Sequence, residues 1–310
     1  MIIKFLGTGS AWQIPEYSCQ CRICQTMRQL GELRTRSAIY VQTVQENILI
    51  DCGPDIKWQM NTWHIPRPDA VLITHEHGDH YLGLDDLLSF RRSVTAAVWT
   101  PIPVYASAET FKRIDLRFGY LFPDTLEKRP AEPGAGLLGL KTSVVPFRTF
   151  HGQTAPGSLG YVLTEVGPQG RIFRLAYTSD FSKIAGQTVL LSQIDLFIIQ
   201  SNWLHEPLEN RPNHMSLQNA LEYIKEWRPK RVYLIHISDQ DRVPGDPWNE
   251  LPKKYRAKAP LAHPLTGQPY PVPTCQSEWQ SLANEISQDF DLGIPITVTY
   301  DGLTVDSDAI

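Results

Sequence analysis

Thr74-His75-Glu76-His77-Gly78-Asp79-His80 packs three histidines and an aspartate into six positions, directly after an apolar stretch, Asp69 to Ile73, that reads as a strand. In an extended segment alternate side chains share a face, so His75 and His77 point the same way and can share one cation through their ring nitrogens. Gly78 then lets the chain turn. That brings Asp79 and His80 back toward the same spot from another side, where they can hold a second cation. A single histidine in a polar loop needs no metal, but four ligand-type side chains at this spacing point to a pair of divalent ions, the arrangement of a hydrolytic clamp. The run is not the helical H-E-x-x-H motif, because Asp79 stands where its second histidine falls.

His75-x-His77-x-Asp79-His80 after a strand resembles the signature of the metallo-β-lactamase superfamily. The resemblance implies three further ligands, each after a strand: His151 after Ser143 to Phe150, Asp180 after Phe173 to Ser179, and His236 after Arg231 to Ile235. It places His75, His77 and His151 on one metal, Asp79, His80 and His236 on the other, and Asp180 between them. Read singly, each of the three downstream residues is more often a satisfied polar or capping group. Zinc and manganese both suit such ligands. The implied fold is mixed α/β (α+β), a four-layer αββα sandwich with the binuclear site at one edge.

The 310 residues, 42% of them hydrophobic, suffice for a large core and are expected to form one domain over 1–310. A net charge of −4 and a pI near 6.1 offer no basic field to steer nucleic acid, so nucleic acid is disfavoured and a small-molecule phosphodiester is expected as substrate. The sequence shows no leader and no stretch of membrane-spanning length, so a soluble, cytoplasmic protein is expected. Nothing demands a dimer, although a homodimer is compatible with the chain.

Cys19-x-Cys21-x-x-Cys24 sets three soft ligands in a turn-rich loop at 15–30, which suits a tetrahedral structural zinc lacking only its fourth ligand. Together with the histidine run it resembles the phosphoribosyl cyclic phosphodiesterase branch of the superfamily, and the pyrroloquinoline-quinone biosynthesis B proteins share the cysteines. In that branch the fourth ligand is a histidine three residues after the last catalytic histidine. Here the position is Asp239, an acceptable zinc ligand, with His263 and Cys275 as rivals. Cys52 follows a strand and is assigned to packing.

Ile2 to Leu6 reads as a buried strand, followed by the turn Gly7-Thr8-Gly9-Ser10-Ala11. Ala38 to Gln42 and Asn47 to Asp51 read as a hairpin. Leu82 to Phe90 has helical apolar spacing, Phe111 to Phe122 reads as a helix or lid, and Arg129 to Gly136 reads as a loop. Arg91, at the end of the first of these helices, is a candidate for reaching a phosphate beside the metals. Ser216 is the expected N-cap of a helix Leu217 to Trp227, which sets His214 at a helix N-terminus. By resemblance Asn213-His214 corresponds to the Asn-His of the phosphodiesterases and to the catalytic His-Ser-Thr region of ribonuclease Z. The segment 240–275 is a proline-rich excursion, with eight prolines between Pro244 and Pro273, expected to cover the active site or to complete the zinc site. Ile296 to Tyr300 and Leu303 to Val305 around Asp301-Gly302 read as a closing hairpin.

The expected reaction is hydrolysis of a small phosphodiester, with cyclic esters among the candidates, in which Asp79 orients the attacking water while ligating and His214 protonates the departing oxygen or stabilises the phosphoryl charge. A tRNA 3′-processing endoribonuclease is the alternative enzyme. A non-hydrolytic metal-binding accessory protein of cofactor biosynthesis is the alternative from another class.

Overall fold

In the computed structural model, which describes every residue except 168, 169, 185, 187 and 310, two seven-stranded sheets face each other between helical layers. The first sheet holds β1 (Ile2–Gly7), β2 (Ala38–Gln42), β3 (Asn47–Ile50), β4 (Ala70–Leu72), β5 (Ile102–Ala106) and β6 (Leu126–Pro130). The second holds β7 (Ser143–Phe150), β8 (Leu159–Val166), β9 (Ile172–Tyr177), β10 (Lys183–Ile184), β11 (Leu196–Gln200), β12 (Arg231–Ile235) and β13 (Ile296–Val298). β14 (Thr304–Asp306) returns to the first sheet and pairs with β1. The helices are α1 (Arg22–Leu30), α2 (Ile56–Trp63), α3 (Gly78–Tyr81), α4 (Leu88–Arg92), α5 (Ala108–Phe118), α6 (Leu217–Trp227) and α7 (Gln276–Asp289).

Strand parity explains the four layers. Ile48 and Ile50 of β3 and Leu196 and Ile198 of β11 point into the core between the sheets, where they meet Ile3, Phe5, Tyr161 and Leu175. Their alternates point outward. Leu49 packs under the helices of the first sheet with Ile56 and Ile114, and Phe197 and Ile199 pack under those of the second with Leu221 and Ala283. Both faces of each central strand are therefore covered, which is why the strand Leu196–Gln200 is apolar without a break up to Ile199.

Several expectations are corrected. The last two strands do not form a hairpin: β13 runs parallel to β12, and β14 runs antiparallel to β1 in the other sheet. The Asp301-Gly302 turn carries the chain between sheets. It is fixed by the Asp301 carboxylate, which accepts from Thr8 Oγ1 (2.7 Å) and from Thr35 N (2.7 Å) and Oγ1 (2.6 Å). A tight-turn signal specifies local backbone only, not whether its flanks stay in one sheet. Arg129 and Pro130 belong to β6 rather than to a loop, and proline is tolerated there because β6 is an edge strand. The helix at Leu82 to Phe90 is split into a 3-10 turn, Leu84–Leu87, and α4, because Gly83 N is engaged by Cys52 O (2.8 Å). α5 begins before Phe111, at Ala108, where Ser107 caps it by accepting from Thr110 N (3.1 Å).

The proline-rich segment is ordered without regular elements of its own and docks on the second sheet's helical layer through Leu261, Tyr270 and Val272. One of its anchors is Leu261 N, which donates to His205 Nδ1 (3.0 Å). His205 is buried, and burial pushes its imidazole down to about 4. The folded value lies below the ordinary one near 6.5, so this contribution to stability is complete above about pH 6.5 and is lost as pH falls toward 4. Thermal melts of the native chain and of His205→Gln should therefore converge on acidification through that window, by up to about 3 kcal/mol. Melts that stay parallel across it would refute this linkage.

Candidate metal centre

The candidate ligands arrive from strand ends at the rim shared by the two sheets. His75 and His77 follow β4 in extended backbone, and Gly78 opens the single turn of α3 that presents Asp79 and His80. A Cβ on Gly78 would meet the Leu82 side chain, with Cδ1 at 2.7 Å, so a larger residue here would have to displace that leucine. His151 follows β7, Asp180 follows β9 and His236 follows β12. Asp51, Ser179, Asn213 and His236 all hold left-handed backbone, with φ of 65°, 57°, 57° and 62°. Such backbone costs a non-glycine residue about 1 kcal/mol or more, and here it occurs at three strand ends and in the His214 loop.

Two ligand sets result, with mutually close ligand atoms: His75, His77 and His151 in one, and Asp79, His80, Asp180 and His236 in the other. Asp180 lies between them. Its Oδ2 is 2.9 Å from His236 Nε2, 3.4 Å from His80 Nε2, 3.6 Å from His214 Nδ1 and 3.9 Å from His151 Nε2. Burial works against the Asp180 carboxylate, yet His236 and His80 hold it well below the usual range. Burial likewise works against His80, but Asp79, Asp51 and Asp180 hold its imidazolium well above the usual range. Burial drives His75 well below, and His151 down to about 4.

The outer nitrogens are tied, while the inner ones face one another and the Asp79 and Asp180 carboxylates, a donor set that fits divalent metals. His80 Nδ1 meets Asp51 Oδ2 (2.8 Å), His75 Nδ1 meets Thr74 Oγ1 (3.0 Å) and His151 Nδ1 donates to Asn213 O (2.9 Å). The buried Nε2 atoms of His75, His80 and His236 lack hydrogen-bond partners among the described residues. Glu76, inside the motif, is no ligand. It accepts from Gly157 N (3.1 Å) and Thr110 Oγ1 (3.2 Å) and so fastens the loop to α5.

His214 sits two residues ahead of Ser216, which caps α6 by accepting from Asn219 N (3.2 Å). Burial pushes its imidazole well below the usual range. Its ring lies 4.8 Å from that of His151 and 5.1 Å from that of His236.

Two positioning residues escape a reading of the sequence. Asp51 also accepts from Thr74 N and Oγ1 (both 2.9 Å) and so locks the first histidines to α3. Gln200, fully buried at the end of β11, accepts on Oε1 from Phe181 N (2.9 Å) and Met215 N (3.0 Å), while its Nε2 donates to Nδ1 of His214 (2.7 Å) and His236 (3.0 Å). The Asp-Cys-Gly after β3 is a sequence signal for Asp51, but Gln200 ends an apolar strand and has none. Gln200→Ala is expected to lower turnover about 10- to 100-fold, the usual loss for an outer partner of a ligand histidine. Unchanged kcat in a folded, metal-loaded variant would remove that role.

A second cluster brings Cys19, Cys21, Cys24 and Asp239 together. Asp239 Oδ2 is 2.9 Å from Cys24 Sγ and 3.5 Å from Cys21 Sγ. The same oxygen touches Lys253 Nζ, and the Asp239 carbonyl touches Lys254 Nζ, so the proline-rich segment closes over this cluster. The rivals lie elsewhere. His263 accepts from Leu265 N (3.1 Å) and faces Asp289 (3.5 Å), and Cys275 is 3.3 Å from Ser277 Oγ. Cys52 is buried in the outer core of the first sheet. Arg91 does not extend to the metal centre. It donates to Thr125 Oγ1 (3.2 Å), lies 4.0 Å from Asp124 and lines a surface groove with Arg92 and Trp99.

Sheet sandwich, rim and ligand sets together define a metal-dependent hydrolase. The chain belongs to the β-lactamase superfamily, whose model, Beta-lactamase superfamily domain, matches residues 46–237. An octanoyltransferase of Porphyromonas gingivalis is 32% identical over 247 residues, 75% of this chain and 45% of that protein, so the chain spans less than half of that relative. A Ribonuclease Z of Thermococcus gammatolerans is 33% identical over 255 residues, 66% of this chain and 78% of that one. Two solved structures share the fold at a TM-score of 0.69: a diphosphatase from the PhnP family (23% identity, 98% of this chain and 96% of that one) and zinc-bound PqqB from Methylobacterium extorquens (18% identity, 99% and 100%).

One expectation is overturned by these relatives. Nucleic acid was disfavoured as a partner on bulk charge, yet ribonucleases Z of two Thermococcus species are among the proteins this chain resembles. Net charge averages over the whole surface and says nothing about a cleft. No helix among the described residues is long and apolar enough to cross a membrane.

Proposed function

We propose that this protein is a phosphodiesterase whose centre takes two divalent metals, zinc or manganese, with His75, His77 and His151 on one, Asp79, His80 and His236 on the other and Asp180 shared. The observation that carries this reading is the Asp180 carboxylate oxygen, within 3.9 Å of imidazoles from both ligand sets. Cys19, Cys21, Cys24 and Asp239 would hold a third, structural zinc, pinning the 15–30 loop. In such a setting divalent charge lowers the pKa of water and offsets the charge that develops on a phosphoryl group.

The chain's own residues do the rest. Asp79, in the single turn of α3, accepts a hydrogen bond from the attacking water and orients it. Asp51, Thr74 and Gln200 hold the imidazoles so that little reorganisation remains at the moment of reaction. His214 faces the departing oxygen, to which it delivers a proton or a hydrogen bond.

The test is hydrolysis of bis(p-nitrophenyl) phosphate by protein loaded in turn with zinc and with manganese. Turnover that follows metal content supports the reading. Fully loaded protein without turnover would overturn it and direct the search to acyl esters and thioesters, the chemistry the octanoyltransferase likeness suggests. A second reading, a 3′-processing ribonuclease, is favoured by the 33% identity to Ribonuclease Z and is tested by cleavage of a 3′-extended transfer RNA.

A further inference from the structure

The loop that leaves β1 does more than turn. Trp12 and Tyr17 on it are 61% and 94% exposed, and both line a pocket of about 1020 Å³ with Arg28, Arg36, Gln240 and Lys253. Large aromatics held in solvent are costly unless something covers them. Three contacts tie the walls of this pocket to residues adjacent in sequence or in space to the candidate ligands. Ser10, two residues before Trp12, donates to Ile237 O (3.2 Å), directly after His236. Arg36 donates to Ala11 O (2.9 Å), and its Cβ lies 3.7 Å from where a Gly53 Cβ would collide with the Asp79 carbonyl. Gln240 accepts from Asn202 Nδ2 (3.2 Å), and Asn202 N donates to Met215 O (2.8 Å), one residue from His214.

The charge of the pocket is cationic but partly spoken for. Arg36 is paired with Asp55 (2.9 Å) and Lys253 with Glu16 (2.9 Å) and Asp239. Arg28 differs: its guanidinium donates to the Cys19 carbonyl (2.6 Å) and the Glu16 carbonyl, and among the described residues no carboxylate neutralises it. Aromatic faces beside an unneutralised guanidinium, next to a centre for phosphoryl chemistry, match one kind of ligand. We propose that this pocket receives the nucleobase of a nucleotide phosphodiester, stacked on Trp12 with Tyr17 at its edge and Arg28 supplying positive charge. The proposal rests on the phosphodiesterase reading and adds a substrate class to it. It also makes the proline-rich segment, through Lys253, one wall of the substrate pocket.

The experiment compares adenosine 2′,3′-cyclic phosphate with the cyclic phosphate of methyl riboside, which has the same reacting ester and no base. The native, metal-loaded protein should favour the adenosine ester about tenfold or more in kcat/KM, the range expected for one stacked base. Trp12→Ala should erase that preference, mainly through KM, with Trp12→Phe restoring most of it. Equal use of the two esters by the native protein, or a preference that survives Trp12→Ala, would overturn the proposal. If neither ester is turned over, hydrolysis of bis(p-nitrophenyl) phosphate by the same protein decides the phosphodiesterase reading separately. Quenching of tryptophan fluorescence by adenosine monophosphate but not by ribose 5-phosphate, lost in Trp12→Ala, then still decides for the pocket, and its absence decides against it.

Discussion

Asp180→Ala is expected to empty the centre, weakening metal affinity at least about 100-fold, since replacing even an outer partner of a ligand costs up to that much. The reason lies in charge as well as coordination. Asp180 is the buried anion within reach of His80, His151, His214 and His236 at once, and without it only Asp79 and Asp51 offset the cations of the second set. Metal content measured by atomic absorption after desalting should fall to that of the cysteine cluster alone, together with turnover. A variant that keeps both metals would show that Asp180 does not bridge, and would take with it the observation on which the proposed function stands.

His214→Ala should behave in the opposite way. Metal content stays at the native level, because His75, His77 and His151 form one proposed set and Asp79, His80, Asp180 and His236 the other, with His214 meeting only His151 and Asp180 beside them, while turnover falls about 10²- to 10⁴-fold, the usual worth of a positioned acid or base. The loss should be smallest for esters with good leaving groups, which need little help in departing. Native turnover in a fully metallated variant would remove the role assigned to this histidine. The two variants together separate holding the metals from using them.

Much of this was legible in the sequence because the strands are buried on both faces. Leu196–Gln200, Arg231–Ile235 and Leu217–Trp227 have the bounds their apolar patterns predict, and Ser216 caps its helix as expected. The candidate ligands stood out for another reason: they cluster just beyond the ends of strands, and chemistry limits which residue types can stand together there. What was hidden depends on contacts between segments distant along the chain. Gln200 looks like the end of an apolar run until Phe181, Met215, His214 and His236 surround it. The destination of β14 is decided by pairing with β1, some 300 residues away, which no local turn signal encodes. Arg91 carried a plausible charge in a plausible place, but its direction was set by Thr125 and Asp124.

The left-handed backbone at Asp51, Ser179 and His236 sets a trap for anyone selecting variants of this protein. Glycine at each of these positions relieves conformational strain, so a screen that rewards heat tolerance alone will drift toward it. Every such step deletes a side chain from the rim where the two sheets meet: a buffer of His80, a hydroxyl on Thr74, or a ligand itself. The hardiest descendants would then be inert, and a library meant to yield a robust catalyst needs turnover as its first filter and melting temperature only as its second.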